Sequence, residues 1–125
     1  MENNDKILLP TTIIIFGATG DLTKRKLIPA LVRMFRSGLV HKDSRIIGVV
    51  RKLSKSQWIE SLHAGLLKYA PGVVVDDESW QSFSGHFKMV SGDLDNETTY
   101  EKIATELELL GGKKNAMFYC AIPPD

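Results

Sequence analysis

Cysteine is nearly missing: Cys120 is the one thiol in 125 residues, so no internal disulfide can staple the chain. Long apolar runs are missing too. No stretch approaches the roughly 20 apolar residues that a membrane-crossing helix needs, and the opening run MENNDKILLP is too polar for a secretory leader. Charge of one sign is also lacking, since 16 Lys and Arg against 15 Asp and Glu leave a net +1. No whole-molecule field of that size holds nucleic acid or an acidic membrane, so neither is an expected partner. The reducing cytoplasm is the expected compartment. A length of 125 residues supplies one domain, 1–125, and excludes a two-domain enzyme, while 43% apolar and 25% charged residues suit a packed core and not a disordered chain.

Thr11-Thr-Ile-Ile-Ile-Phe16 is short, β-branched and bounded by Pro10 and Gly17, the pattern of a strand buried on both faces. Leu22, Leu27, Ala30, Leu31 and Met34 then recur at helical spacing up to Ser37-Gly38. Pro29 cannot donate a backbone hydrogen bond, so either that helix kinks or a second helix starts with Pro29 in its first turn. Ile46-Ile-Gly-Val-Val50 reads as strand two. Lys55 to Tyr69 reads as a helix with Trp58, Ile59, Leu62 and Leu66 on one stripe. A short helix over Glu78 to Phe83 and a strand over His86 to Val90 follow. Asn96 to Leu110 forms a helix with Tyr100, Ile103, Leu107 and Leu110 inward, closed by Gly111-Gly112. Asn115 to Ile122 is a fourth apolar strand, stopped by Pro123-Pro124. Strands alternating with helices predict an α/β, Rossmann-like, doubly wound parallel sheet. That sheet is expected to be incomplete at its C-terminal end, because no helix follows the last strand.

The chemistry lies between the first strand and helix. Gly17-x-x-Gly20 stands where a doubly wound domain brings a phosphate to a helix N-terminus. Gly17 permits a tight turn, Gly20 permits backbone to approach a pyrophosphate, and the first helical turn offers free N–H donors. The match to G-x-G-x-x-G is imperfect: Ala18 replaces a glycine, and Thr23 stands where the third small residue belongs. An ordinary glycine turn is the plain alternative.

Dinucleotide domains that use NAD place an acid at the end of the second strand, for the adenosine ribose. Here Arg51-Lys52 stands there. A guanidinium fork suits a 2′-phosphate, which points to NADP, although the spacing from the motif exceeds the usual ~20 residues. A solvated basic turn is the competing reading. Gly92-Asp93-Leu94 follows strand three, where the Asp93 carboxylate and Leu94 backbone can contact the adenine. Equally, the segment is a plain turn, with Asp95 or Asn96 capping the next helix. Lys24-Arg25-Lys26 adds positive charge beyond the glycine turn, and runs this short are commonly solvated. His41, His63 and His86 show no spacing that suggests a metal site or a triad. Cys120, Trp58 and Trp80 are expected in the core.

The run Gly17-Ala-Thr-Gly-Asp-Leu-Thr-Lys-Arg-Lys-Leu-Ile-Pro-Ala-Leu31 closely resembles the coenzyme-binding signature of the glucose-6-phosphate dehydrogenase family, G-A-S/T-G-D-L-A-K-R-K-L-x-P-A-L. Gly48-Val-Val-Arg51 is similar to that family's second strand with its 2′-phosphate arginine, and Phe118-Tyr-Cys-Ala-Ile-Pro-Pro124 is similar to its F-Y-L-A-L-P-P strand end. Thr23 replaces the usual alanine and Cys120 the usual leucine. The resemblance implies oxidation of glucose 6-phosphate to the lactone with NADP, at the entry to the pentose phosphate pathway. It implies a pyrophosphate cradled by residues from Gly17 and Ala18 through Thr19, Gly20, Asp21, Leu22, Thr23 and Lys24, cofactor choice set by Arg51, and Lys26 facing the phosphates of cofactor and substrate. For the full-length family it implies a homo-oligomer.

The family's R-I-D-H-Y-L-G-K sugar motif and proton-accepting histidine have no counterpart here, so no catalytic residue is assigned and the chain alone is expected to be inactive. Two alternatives stand beside the coenzyme-binding portion of such an enzyme. One is a stand-alone, non-catalytic NADP-binding module. The other is a GATG-type short-chain reductase relative, which the Lys-Arg-Lys-Leu-x-Pro run counts against.

Overall fold

In the computed structural model, which describes residues 10–73, 75–110 and 115–121, the four apolar segments form β1 (Thr11–Phe16), β2 (Arg45–Val50), β3 (Phe87–Ser91) and β4 (Asn115–Cys120). All pairings are parallel, in the order β3-β2-β1-β4. Ile14 of β1 stands beside Ile47 of β2 on one side and Phe118 of β4 on the other. Parallel neighbours demand crossovers, and four helices supply them: α1 (Ile28–Arg36), α2 (Lys55–Tyr69), α3 (Asp77–Ser84) and α4 (Glu97–Leu109). The first crossovers step outward from β1 to β2 to β3. The last, through α4, returns to the other side of β1, which reverses the winding and places helices on both faces.

The strand alternation assigns the faces. Ile15, Ile46, Val50 and Phe87 point to the side covered by α1, α2 and α3, where Ile28, Val32, Trp58, Leu62, Leu66 and Phe83 join them. Ile14, Ile47, Val49 and Val90 point to the other, against Ile103 of α4. Trp58, Phe83 and Phe87 are almost wholly buried and meet edge to face, with centroids 5.3 and 5.1 Å apart. Each such side chain stabilises the fold by about 1.5–3 kcal/mol relative to leaving it in water.

Pro29 resolves as neither expected arrangement in pure form: the backbone is helical without a break from Asp21 to Arg36. Pro29 lies at the start of α1, directly after a π-helical turn, Thr23–Leu27, in which the Ile28 amide reaches back five residues to the Thr23 carbonyl. The wider turn accommodates the residue that lacks an N–H. The wider turn also breaks the 3.6-residue phase. The buried stripe of α1 is therefore Ile28, Leu31, Val32 and the half-buried Phe35, whereas Leu22, Ala30 and Met34, expected inside, are exposed. The stripe on α4 is likewise corrected at Tyr100, which is exposed and donates its hydroxyl to the Leu94 carbonyl at 2.7 Å.

Both α2 and α4 run within a residue or two of expectation. Ser54 and Gln57 close a capping box at the start of α2, and Asn96, one of the two expected caps, accepts from the Thr98 amide at 2.9 Å to start α4. β3 is shifted by one residue, and Ile122, expected in the last strand, lies outside the described residues. Cys120 is not in the core. It stands exposed on β4, one of the two edge strands among the described residues, because α4 packs toward β2 and β3 and leaves Phe118 and Cys120 uncovered there.

Cys120 is therefore expected to react with a thiol reagent in the folded protein without prior unfolding; protection until unfolding would return it to the core. Asp76 caps α3 through the Ser79 amide at 2.7 Å, and that bond, with a smaller effect of Arg36, holds its carboxyl below the usual value. A lowered folded pKa means stability that is present above the ordinary carboxylate range and is lost as pH falls through the folded pKa. The thermal stabilities of wild type and Asp76→Ala are expected to differ at neutral pH and to converge in acid.

Candidate functional site

β1 delivers its chain to the C-terminal edge of the sheet, beside the point where the strand order reverses, the place where open α/β sheets bind ligands. Gly17 turns the chain there with φ of 82°, a left-handed conformation that costs any other L-residue about 1–2 kcal/mol. Its carbonyl accepts twice, from the Gly20 amide at 3.0 Å and from the Thr23 hydroxyl at 2.8 Å. Thr23 is wholly buried. The third small position of the motif thus holds a side chain that ties the turn to the helix. At Gly20 a Cβ would meet the Gly17 carbonyl at 3.2 Å, a crowded contact that keeps the position small.

The Ala18 and Thr19 amides make no hydrogen bond among the described residues. Both residues line a cleft of about 340 Å³, with Gly17, Val49, Arg51, Gly92, Asp93, Leu94 and Asp95. The ends of β1, β2 and β3 thus bring together the glycine turn, the basic residue after β2 and the acidic turn after β3. Arg51 approaches Asp93 at 3.6 Å, both side chains being largely exposed. A pair this long and this wet contributes less than about 1 kcal/mol, so the guanidinium can exchange Asp93 for a stronger anion at little cost. The segment 92–94 is held from below: the Thr99 hydroxyl bonds the Asp93 carbonyl at 2.7 Å, and a methyl at Gly92 would run into that hydroxyl.

Other sequence-predicted residues lie beyond the cleft. Asp21 is exposed and pairs with Arg25 at 3.1 Å; Leu22 is exposed. The stem of Lys24 lies on Gly65 of α2, and Lys26 is exposed on the π turn. Val49 lines the cleft without having been singled out as a site residue, since its position at the sheet edge follows only from strand register, and Asp95, expected only as one of two candidate helix caps, lines it too. Trp58, expected as packing alone, also donates its indole N–H to the Ala18 carbonyl at 3.0 Å. The three histidines have local partners: His86 contacts the Ser44 carbonyl at 2.7 Å, His41 accepts from the Asp43 amide, and His63 stacks on Trp80 at 4.5 Å. Among the described residues no cluster of His, Cys, Asp and Glu could hold a metal, and no helix is long and apolar enough to cross a membrane.

A nicotinamide dinucleotide fits these residues. The turn leaves two amides unbonded among the described residues for a pyrophosphate, and a guanidinium lines the same cleft.

Comparison with known proteins agrees with this geometry. Residues 14–125 match the family model described as the NAD binding domain of glucose-6-phosphate dehydrogenase. The chain is 31% identical over 118 residues to the glucose-6-phosphate 1-dehydrogenase of Drosophila melanogaster, covering 93% of this chain and 22% of that protein. To the Saccharomyces cerevisiae enzyme it is 33% identical over 120 residues, covering 91% and 24%. A solved structure of glucose-6-phosphate dehydrogenase in complex with its substrate glucose 6-phosphate superposes with a TM-score of 0.79 at 30% identity, covering 99% of this chain and 26% of that one. The chain spans about a quarter of the length of these relatives.

Gly17→Ala is expected to lower the unfolding free energy by about 1–2 kcal/mol, because alanine must enter the left-handed region. Denaturant titration measures it, and a neutral result would mean the turn has a second conformation open to alanine.

Proposed function

The chain belongs to the glucose-6-phosphate dehydrogenase family, and from that premise we propose that its cleft binds NADP in preference to NAD, as the coenzyme-holding part of an enzyme that oxidises glucose 6-phosphate. One observation carries the reading: the glycine turn with its unbonded amides and the Arg51 guanidinium share a single cleft at the switch point of the sheet. The pyrophosphate lies against Ala18, Thr19 and Gly20 and the turn from Asp21 to Thr23, where N–H groups and the start of the helix favour negative charge. Arg51 meets the 2′-phosphate, releasing Asp93, and the Asp93-Leu94 turn borders the adenosine. Lys24 and Lys26 add positive potential beyond the turn, with Lys26 assigned to the substrate's phosphate. The cofactor, when bound, supplies a nicotinamide that accepts a hydride from C1 of the sugar; this chain's residues bind and orient it.

Calorimetric titration of the wild type with NADP and with NAD is expected to show the tighter binding for NADP. Arg51→Ala is expected to cost about ten- to hundredfold in NADP affinity, the worth of a charge-assisted phosphate contact, with NAD little changed. Equal affinity of the folded wild type for the two, or a preference that survives Arg51→Ala, would overturn the assignment.

A further inference from the structure

We propose that Trp58 is a positioning residue that aims the phosphate turn's amides into the cleft, a role resting on the NADP reading above. α2 begins at a capping box, Ser54 with Gln57, which fixes the helix start and hence the place of Trp58 in its first turn. The indole is wholly buried and packs on Phe87. Packing alone has no use for an indole N–H, yet this one reaches 40 residues back along the chain, to the Ala18 carbonyl at 3.0 Å. β2 makes room for it: a methyl on Gly48 would collide with the indole ring. Glycine within a buried strand gives up packing and backbone entropy, and close approach of another group is the usual compensation.

Peptide planarity transmits the contact. In a trans peptide the C=O of one residue and the N–H of the next point in opposite directions. Holding the Ala18 carbonyl toward the buried indole therefore turns the Thr19 N–H the other way. The preceding peptide obeys the same rule: the Gly17 carbonyl is held by the Gly20 amide and the Thr23 hydroxyl, which turns the Ala18 N–H away from them. Thr19 and Ala18 line the cleft, and both amides lack a partner among the described residues. Two successive free amides presented together form an anion-binding nest. Trp58 touches neither cofactor nor substrate and acts through the Ala18 peptide.

The test separates the pyrophosphate from the 2′-phosphate. Adenosine 2′-monophosphate presents the group assigned to Arg51 and has no pyrophosphate. Trp58→Phe keeps an aromatic ring and removes the N–H; it is expected to weaken NADP binding about tenfold while leaving adenosine 2′-monophosphate within twofold. Equal weakening of both ligands, the signature of a merely structural residue, overturns the proposal, and so does an unchanged NADP affinity. A second measurement uses the wild type alone: by NMR, NADP is expected to shift the Thr19 amide and to slow exchange of the Trp58 indole proton, while adenosine 2′-monophosphate does neither. NADP binding that leaves both resonances unmoved overturns the proposal with the NADP reading intact. A wild type that binds no NADP overturns that reading and this inference together.

Discussion

A strand paired on both edges and covered on both faces has one way out, and the architecture follows from that constraint on β1. Parallel ladders occupy each side of Thr11–Phe16, so the chain must leave the sheet at Phe16 and reverse into a helix within a few residues. Gly17 accepts the left-handed conformation that this requires. Its carbonyl then becomes the anchor of the turn, shared between the Gly20 amide and the Thr23 hydroxyl. The geometry of the turn is thus a by-product of getting the chain off a buried strand.

The helices divide their labour unequally. α1, α2 and α3 share one face and supply the aromatic cluster around Trp58, Phe83 and Phe87, so most of the large apolar surface is buried there. Among the described residues α4 alone packs on the other face, against β2 and β3. Phe118 stacks on Phe16 at 6.1 Å in the uncovered region, and it remains more than half exposed. The cleft lies at the C-terminal edge of the sheet, where Ala18 comes from the first cluster and Val49 and Leu94 from the second.

Electrostatics act locally. With a net charge of +1 there is no long-range field, and the charges that matter face one another across a few ångströms. Arg51 and Asp93 come from the ends of different strands and meet loosely in solvent, a pairing that keeps a guanidinium oriented near the cleft without committing it. The family model that the chain matches is described as an NAD binding domain.

Much of this was legible in the chain. β1, α2, the glycine turn and the cap at Asn96 were readable because they depend on neighbours in sequence: β-branched runs, 3.6-residue spacing, asparagine before a helix. The signature from Gly17 to Leu31 carried the family as well. Other features were illegible for one physical reason. The outer position of β4, which exposes Cys120 and Phe118, depends on the order of strands; the meeting of Arg51 with Asp93 depends on register between β2 and β3; the π turn before Pro29 depends on how α1 must rotate to bury Ile28 and Val32. Gly48 inside an apolar strand carried no reading beyond the strand and the family match, and the structure shows that it leaves room for the Trp58 indole. The sequence by itself determined which segments form strands and helices and where the chain must turn, because those choices are settled by steric and hydrogen-bond preferences within a few residues. The tertiary structure alone decided which side chains share the cleft and which carbonyl the indole holds, because those contacts join residues tens of positions apart, and only the packed sheet brings them within reach.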